Sequence, residues 1–170
     1  MLEPHLHPWH RTIRPFGAYA LHGIAFQGDY LLALDTVRGY LLKVDPKTDD
    51  TRILNTCQVD AFIGATGLSI WEDTLWFARE GTVYCCDLHS LIPRPFVEMS
   101  YWVDGVAVQG KTIYIASQRE GYISIFNLDS RRLITRLRMP GVGVENLTIR
   151  GEELWVCDRT EQTVYCLDRA

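Results

Sequence analysis

Four positions in the sequence place a polar side chain at the head of a short apolar run: His22, Thr66, Asp104 and the adjacent pair Glu145 and Asn146. Carboxylate and carbonyl oxygens are the donors that a hard divalent cation such as Ca²⁺ or Mg²⁺ takes. If the runs converge on one axis, His22, Asp104, Glu145 and Asn146 form a ligand set for such an ion or for a polar substrate. A plainer reading of the same residues is a turn at Asp104-Gly105 and a solvated loop at Glu145-Asn146, because their spacing alone is not a metal motif.

A second set recurs further along each unit. Asp35 with Arg38, Arg79 with Glu80, Arg119 with Glu120, and Asp158 and Glu161 around Arg159 each put a guanidinium beside a carboxylate. Arg makes bidentate bonds to planar anions, so loops of this kind grip a peptide or carboxylate ligand when they share a face. As isolated hairpin tips, the same charges contribute little. Tyr101 and Trp102, just ahead of Asp104, offer a stacking platform at the mouth of the axis. His5, His7 and His10 would chelate a metal only if held together, and a terminus of this type is expected to be flexible.

Nucleophilic chemistry has no comparable support. The sequence contains no G-x-S-x-G, no glycine-rich phosphate loop followed by a helix, and no H-E-x-x-H. Its five cysteines (Cys57, Cys85, Cys86, Cys157 and Cys166) are odd in number and include no C-x-x-C pair, which argues against a disulfide framework and a zinc knuckle. Set in apolar runs, they read as buried thiols packing like small hydrophobes.

The elements that must position these residues repeat. GIAFQGDYLLALD from Gly23, GLSIWEDTLWFAR from Gly67, GVAVQGKTIYIAS from Gly105 and NLTIRGEELWVCD from Asn146 align without gaps, their starts 44, 38 and 41 residues apart. Each unit reads as a strand, a two-residue turn (Gly28-Asp29, Glu72-Asp73, Gly110-Lys111, Gly151-Glu152), a second strand, a polar turn and a third strand. A fourth strand follows in three units, at TRIL, RPFVEM and LITRLRM. Four antiparallel strands every ~40 residues predict an all-β fold, a β-propeller of about four blades. Runs such as VAV and TIYIA are apolar on both faces, as stacking between neighbouring blades requires.

The expected organisation is a flexible segment at 1–9 and a propeller over 10–170, with blades near 22–56, 66–100, 104–140 and 145–170. The last unit lacks its outer strand, and residues 10–17 have the character to supply it, closing the ring by joining the termini and covering two open edges. Four blades is few for this architecture, which leaves three solutions: a tight four-bladed ring, a homodimer pooling blades into a larger ring, or the front part of a longer propeller.

Composition narrows the function classes. The 170 residues are 47% hydrophobic and 22% charged, with a formal net charge of −4 and scattered Lys and Arg, so the basic footprint of a nucleic-acid binder is missing. No apolar run approaches the ~20 residues of a membrane span, and the first residues do not read as a secretory leader, so a cytoplasmic location is expected.

The G-h-x-h-x-G-x-x-h-aromatic-h-A pattern over residues 22 to 168 resembles the blades of NHL-type, streptogramin lyase-type and gluconolactonase-type propellers. More narrowly, LHPWHRTIRPFGAYALHGIAF, DTVRGYLLKVDP and PGVGVENLTIRGEELWVCDRTEQTVYCLDRA are similar to the amino-terminal propeller part of cyanobacterial transglutaminase-like proteins. The enzyme propellers imply an axial divalent metal, for which His22, Asp104, Glu145 and Asn146 hold comparable places. Two functions follow as expectations. The first is a non-catalytic binding or scaffolding module, without a cofactor, that presents Arg38, Arg79, Glu80, Arg119, Glu120, Arg159, Tyr101 and Trp102 to a protein or peptide. The second is a lyase or lactonase in which Asp104 or Glu145 holds the metal and His22 is the general base.

Overall fold

The computed structural model describes residues 20–47 and 53–168. Within them the short apolar runs form four sheets, ordered β1-β2-β3-β4, β5-β6-β7-β8, β9-β10-β11-β12 and β13-β14-β15. Blade A consists of β1 (Leu21–Gln27), β2 (Tyr30–Asp35), β3 (Tyr40–Val44) and β4 (Ile53–Gln58). Blade B consists of β5 (Ala65–Trp71), β6 (Thr74–Arg79), β7 (Thr82–Asp87) and β8 (Arg94–Glu98). Blade C has β9 (Gly105–Gln109), β10 (Thr112–Ser117), β11 (Tyr122–Asn127) and β12 (Leu133–Arg138), and blade D has β13 (Val144–Arg150), β14 (Glu153–Asp158) and β15 (Thr163–Asp168). All pairs are antiparallel, and the result is the expected all-β, four-bladed propeller.

Each innermost hairpin turns through two residues, as its sequence implies. Gln27 faces Tyr30, Trp71 faces Thr74, Gln109 faces Thr112 and Arg150 faces Glu153. Gly28, Glu72, Gly110 and Gly151 take the first turn position with φ of 57°, 53°, 57° and 57°. That left-handed backbone matches the turn to the twist of the strands it joins.

Packing between blades explains the two-sided apolar strands. Along β10, Ile113 and Ile115 enter the layer shared with blade B, whereas Tyr114 and Ala116 enter the layer shared with blade D. The A–B layer holds Leu34, Phe62, Leu75 and Phe77, with the Phe62 and Phe77 rings edge-to-face at 5.0 Å. In the B–C layer, Trp76 meets Phe96 edge-to-face at 5.1 Å. Each such side chain contributes roughly 1.5–3 kcal/mol on burial.

Nearer the axis the strands approach backbone to backbone. A Cβ on Gly23 would lie 2.8 Å from Leu68 Cβ, one on Gly67 2.8 Å from the Val106 nitrogen, and one on Gly105 3.1 Å from Asn146 Cα. These glycines are the first residues of three of the four repeats, so β1 packs on β5, β5 on β9 and β9 on β13. The fourth repeat begins with Asn146. At that seam β13 and β1 face each other across a cavity of about 560 Å³ that all four inner strands line. Ile24, Phe26 and Val164 stand 60%, 64% and 62% exposed around it.

The outer edge of β15 carries no strand among the described residues, and the segment 10–17 expected to pair there lies outside them, as does the segment 1–9. Among the described residues, no helix is long and apolar enough to cross a membrane.

Gly67 combines a φ of 62° with the close approach, while Gly28, at φ 57°, has nothing near the place of its Cβ. Gly28→Ala should therefore cost only the ~1–2 kcal/mol of left-handed backbone, and Gly67→Ala a further ~1–3 kcal/mol of overpacking. Urea denaturation of both variants measures the difference, and equal losses would refute the close-packed axis.

Candidate functional site

The four inner strands begin at one end of the barrel-shaped axis, where their leading residues gather. His22, Thr66, Asp104 and Glu145 line a funnel of about 360 Å³, joined by Thr36, Trp102 and Gln118. Asn146 does not belong to it. Its side chain lines the larger cavity beneath, and its Oδ1 accepts the Leu147 N–H at 2.8 Å.

Within the funnel the polar groups are tied to the fold. Thr66 Oγ1 donates to the Val103 carbonyl at 2.7 Å, linking blade B to the strand entry of blade C. The Gln118 N–H donates to Asp104 Oδ2 at 2.7 Å, and the Arg159 guanidinium donates to Glu145 Oε1 at 2.8 Å. Burial pushes the Asp104 carboxyl above its ordinary value, the Gln118 N–H offsets part of this, and the Glu145 charge adds to the rise. Of the ligand set that the enzyme propellers imply, His22, Asp104 and Glu145 line the funnel and Asn146 does not. Asn146 is turned away, Glu145 is engaged by Arg159, and no three His, Cys, Asp or Glu among the described residues are grouped to hold a metal ion.

Around the funnel run the turns that join second to third strands. Arg38, Arg79, Glu80, Arg119, Glu120 and Arg159 are all exposed on them. Among the described residues Arg79 and Arg119 enter no ion pair, and Arg159 pairs with Glu145. Glu80 fixes its turn through the main chain, at φ 56° with its carbonyl accepting the Val103 N–H at 2.7 Å. Tyr101 and Trp102 part company: the Tyr101 hydroxyl sits 3.2 Å from Ser124 Oγ, tying the loop to blade C, while Trp102 stands 48% exposed as a funnel wall.

Asp35 and Asp158 differ from the hairpin-tip reading, for both are buried. Asp35 accepts the N–H groups of Ala20, Val37 and Arg38. Asp158 accepts those of Gly143 at 2.9 Å and Glu161 at 2.8 Å. Each carboxylate thus clamps the entry of the innermost strand to the turn beyond the second. Their place at the end of a second strand, where backbone donors lose their ladder partners, is the signal that identifies them.

The thiols divide as well. Cys86 is buried, and burial, with Cys85 and Asp87 beside it, pushes its pKa up to about 12. Burial also raises Cys85, despite the opposing Arg131 and Arg94 charges. Contrary to the buried reading, Cys157 and Cys166 are exposed, because the face of blade D that carries them turns to the wide seam.

No protein-family model matches the chain, and no curated protein matches it. Solved structures do. The computationally designed Ika4 protein is similar with a TM-score of 0.58 at 13% identity, over 94% of this chain and 96% of that one. Myxococcus xanthus glutaminyl cyclase gives 0.68 at 12%, over 87% and 65%, and the RRP9 WD40 repeats give 0.60 at 12%, over 93% and 53%. The chain thus spans 53% to 65% of these two natural propellers. Identities at this level show the fold alone: the class of protein is the β-propeller.

The two carboxylates make opposite pH predictions. Asp104, raised in the fold, opposes folding once ionised, so Asp104→Asn should raise the thermal midpoint at neutral pH and lose that advantage below the ordinary carboxylate range. Asp158 is held below its ordinary value, first by the Glu161 N–H. Asp158→Asn should therefore lower the midpoint at neutral pH, with the gap closing as acid protonates the wild-type group. Thermal melts across pH check both, and slopes of the same sign for the two variants would refute the assignment.

Proposed function

We propose that this propeller is a non-catalytic binding module that engages a protein or peptide on the face carrying the funnel. The observation that carries the reading is the pair of exposed guanidinium groups of Arg79 and Arg119, free of ion pairs among the described residues, beside an acidic funnel walled by Trp102. Guanidinium groups of this kind take the carboxylates of a partner, and Trp supplies a rigid apolar anchor. Asp35 and Asp158 hold the turns of blades A and D through main-chain N–H groups, so that part of the rim requires little ordering when a partner binds.

The repeat pattern supports membership of the broad NHL, streptogramin lyase and gluconolactonase-like group. The narrower sequence likeness supports a place beside a transglutaminase-like enzyme region, in the cytoplasm, where the propeller recruits what the enzyme acts on. The lyase or lactonase alternative has no observation in its favour.

Panning a peptide display library against the chain tests the binding face. Enriched peptides should lose most of their binding to the triple variant Arg79→Ala, Arg119→Ala, Arg159→Ala and to Trp102→Ala, and keep it against Lys47→Ala on the opposite face. Peptides indifferent to the first two variants, or no enrichment at all, would overturn the reading.

A further inference from the structure

Strand β12 closes blade C on the outside, paired with β11 along one edge and with no strand on the other among the described residues. All its residues but Leu137 are exposed, including Leu133 at 45% and Ile134 at 57%. Residues 131–138 hold four arginines and no acid, in a chain whose net charge is −4. Arg131 is engaged by blade B, where Nη1 donates to the Phe96 carbonyl and the guanidinium lies 5.1 Å from the Phe96 ring. Arg132, Arg136 and Arg138 enter no ion pair among the described residues.

The outer strand of blade B is built differently. β8 is five residues long, contains Pro95, which has no N–H to offer, and mixes Arg94 with Glu98. A proline removes a donor from an edge; β12 has no proline, and its charges are of one sign. Its arginines repel a second copy of itself and, by the same charge, attract an acidic strand. The register adds spacing: Arg136 lies opposite Ser124 and Arg138 opposite Tyr122, two residues apart and so on one face of the sheet.

We propose that the outer edge of β12 is a second docking site, one that takes an extended acidic peptide segment as a fifth strand of blade C. Carboxylates two residues apart on the incoming strand meet Arg136 and Arg138 on one face, while its backbone pairs with the open edge beyond the register shift at Leu133–Thr135 and its aliphatic side chains lie beside Thr135 and Leu137 on the other face.

The test uses a fluorescein-labelled peptide of alternating Glu and Val, as long as β12, and fluorescence anisotropy. The peptide should bind, weaken as salt rises, and lose at least about tenfold in affinity to Arg136→Glu with Arg138→Glu, a surface pair whose thermal midpoint serves as the folding control. An alternating Lys-Val peptide should bind that variant in preference to the wild type. N-methylating alternate residues should abolish binding when the methyls point to the edge and spare it when they occupy the other set, because only one set donates to β12. The Arg79, Arg119 and Arg159 variant should bind the peptide unchanged, which separates this site from the funnel face. Equal binding of both N-methylated forms, equal competition by oligothymidylate, or indifference to the Arg136 and Arg138 changes would each overturn the proposal.

Discussion

The close approach of main chains around the axis is the constraint on which the rest of this propeller depends. Four blades must converge on a small circumference, and side chains at the convergence would hold the inner strands apart. Gly23, Gly67 and Gly105 remove those side chains, leaving Cβ positions only 2.8 to 3.1 Å from the next blade. With the inner strands that close, the middle strands meet at ordinary side-chain distance, and the three apolar layers between blades fill. A repeat architecture sums nearest-neighbour interfaces, so each glycine sets the quality of one interface.

The fourth seam shows what happens without that residue. Asn146 stands where the other repeats have glycine, and its carboxamide turns back to accept the Leu147 N–H. β13 and β1 stay apart over a cavity, and the faces that line it keep apolar groups in solvent: Ile24 and Phe26 on one side, Val164 and the exposed Cys157 and Cys166 on the other. The wide seam, the exposed thiols and the larger cavity all belong to the one blade whose repeat lacks the leading glycine.

Much of this was legible in the sequence. The ~40-residue period, the glycine opening three repeats and the turn pairs at Gly28, Glu72, Gly110 and Gly151 fix the blades and the two-residue hairpins, because each needs a residue type that few others can replace. The gathering of His22, Thr66, Asp104 and Glu145 followed from topology alone. What escaped was the direction of individual side chains. Asn146 aligned with the axial set yet turns away, and Tyr101 and Trp102, adjacent in sequence, point to different tasks, as successive residues of an extended chain do. Asp35 and Asp158 read as surface charge because acids usually are; the backbone donors that bury them become visible only once the turns are folded.

The two ends of the propeller handle charge differently, and that difference bears on where a partner sits. At the end away from the funnel, Lys47 meets Asp29 at 2.8 Å and Lys111 meets Asp129 at 2.6 Å, in equivalent places of blades A and C. Asp87 accepts the N–H groups of His89 and Ser90 on the same side of blade B. These exposed pairs add little stability, but they leave those charges already matched. At the funnel end three acids are committed to the fold, Asp35 and Asp158 to backbone donors and Glu145 to Arg159. Glu80 and Glu120 share the turn tips of Arg79 and Arg119, yet neither arginine enters an ion pair among the described residues. An end whose charges are matched internally gains little from a charged partner, whereas one whose arginines stay out of ion pairs keeps them for whatever arrives.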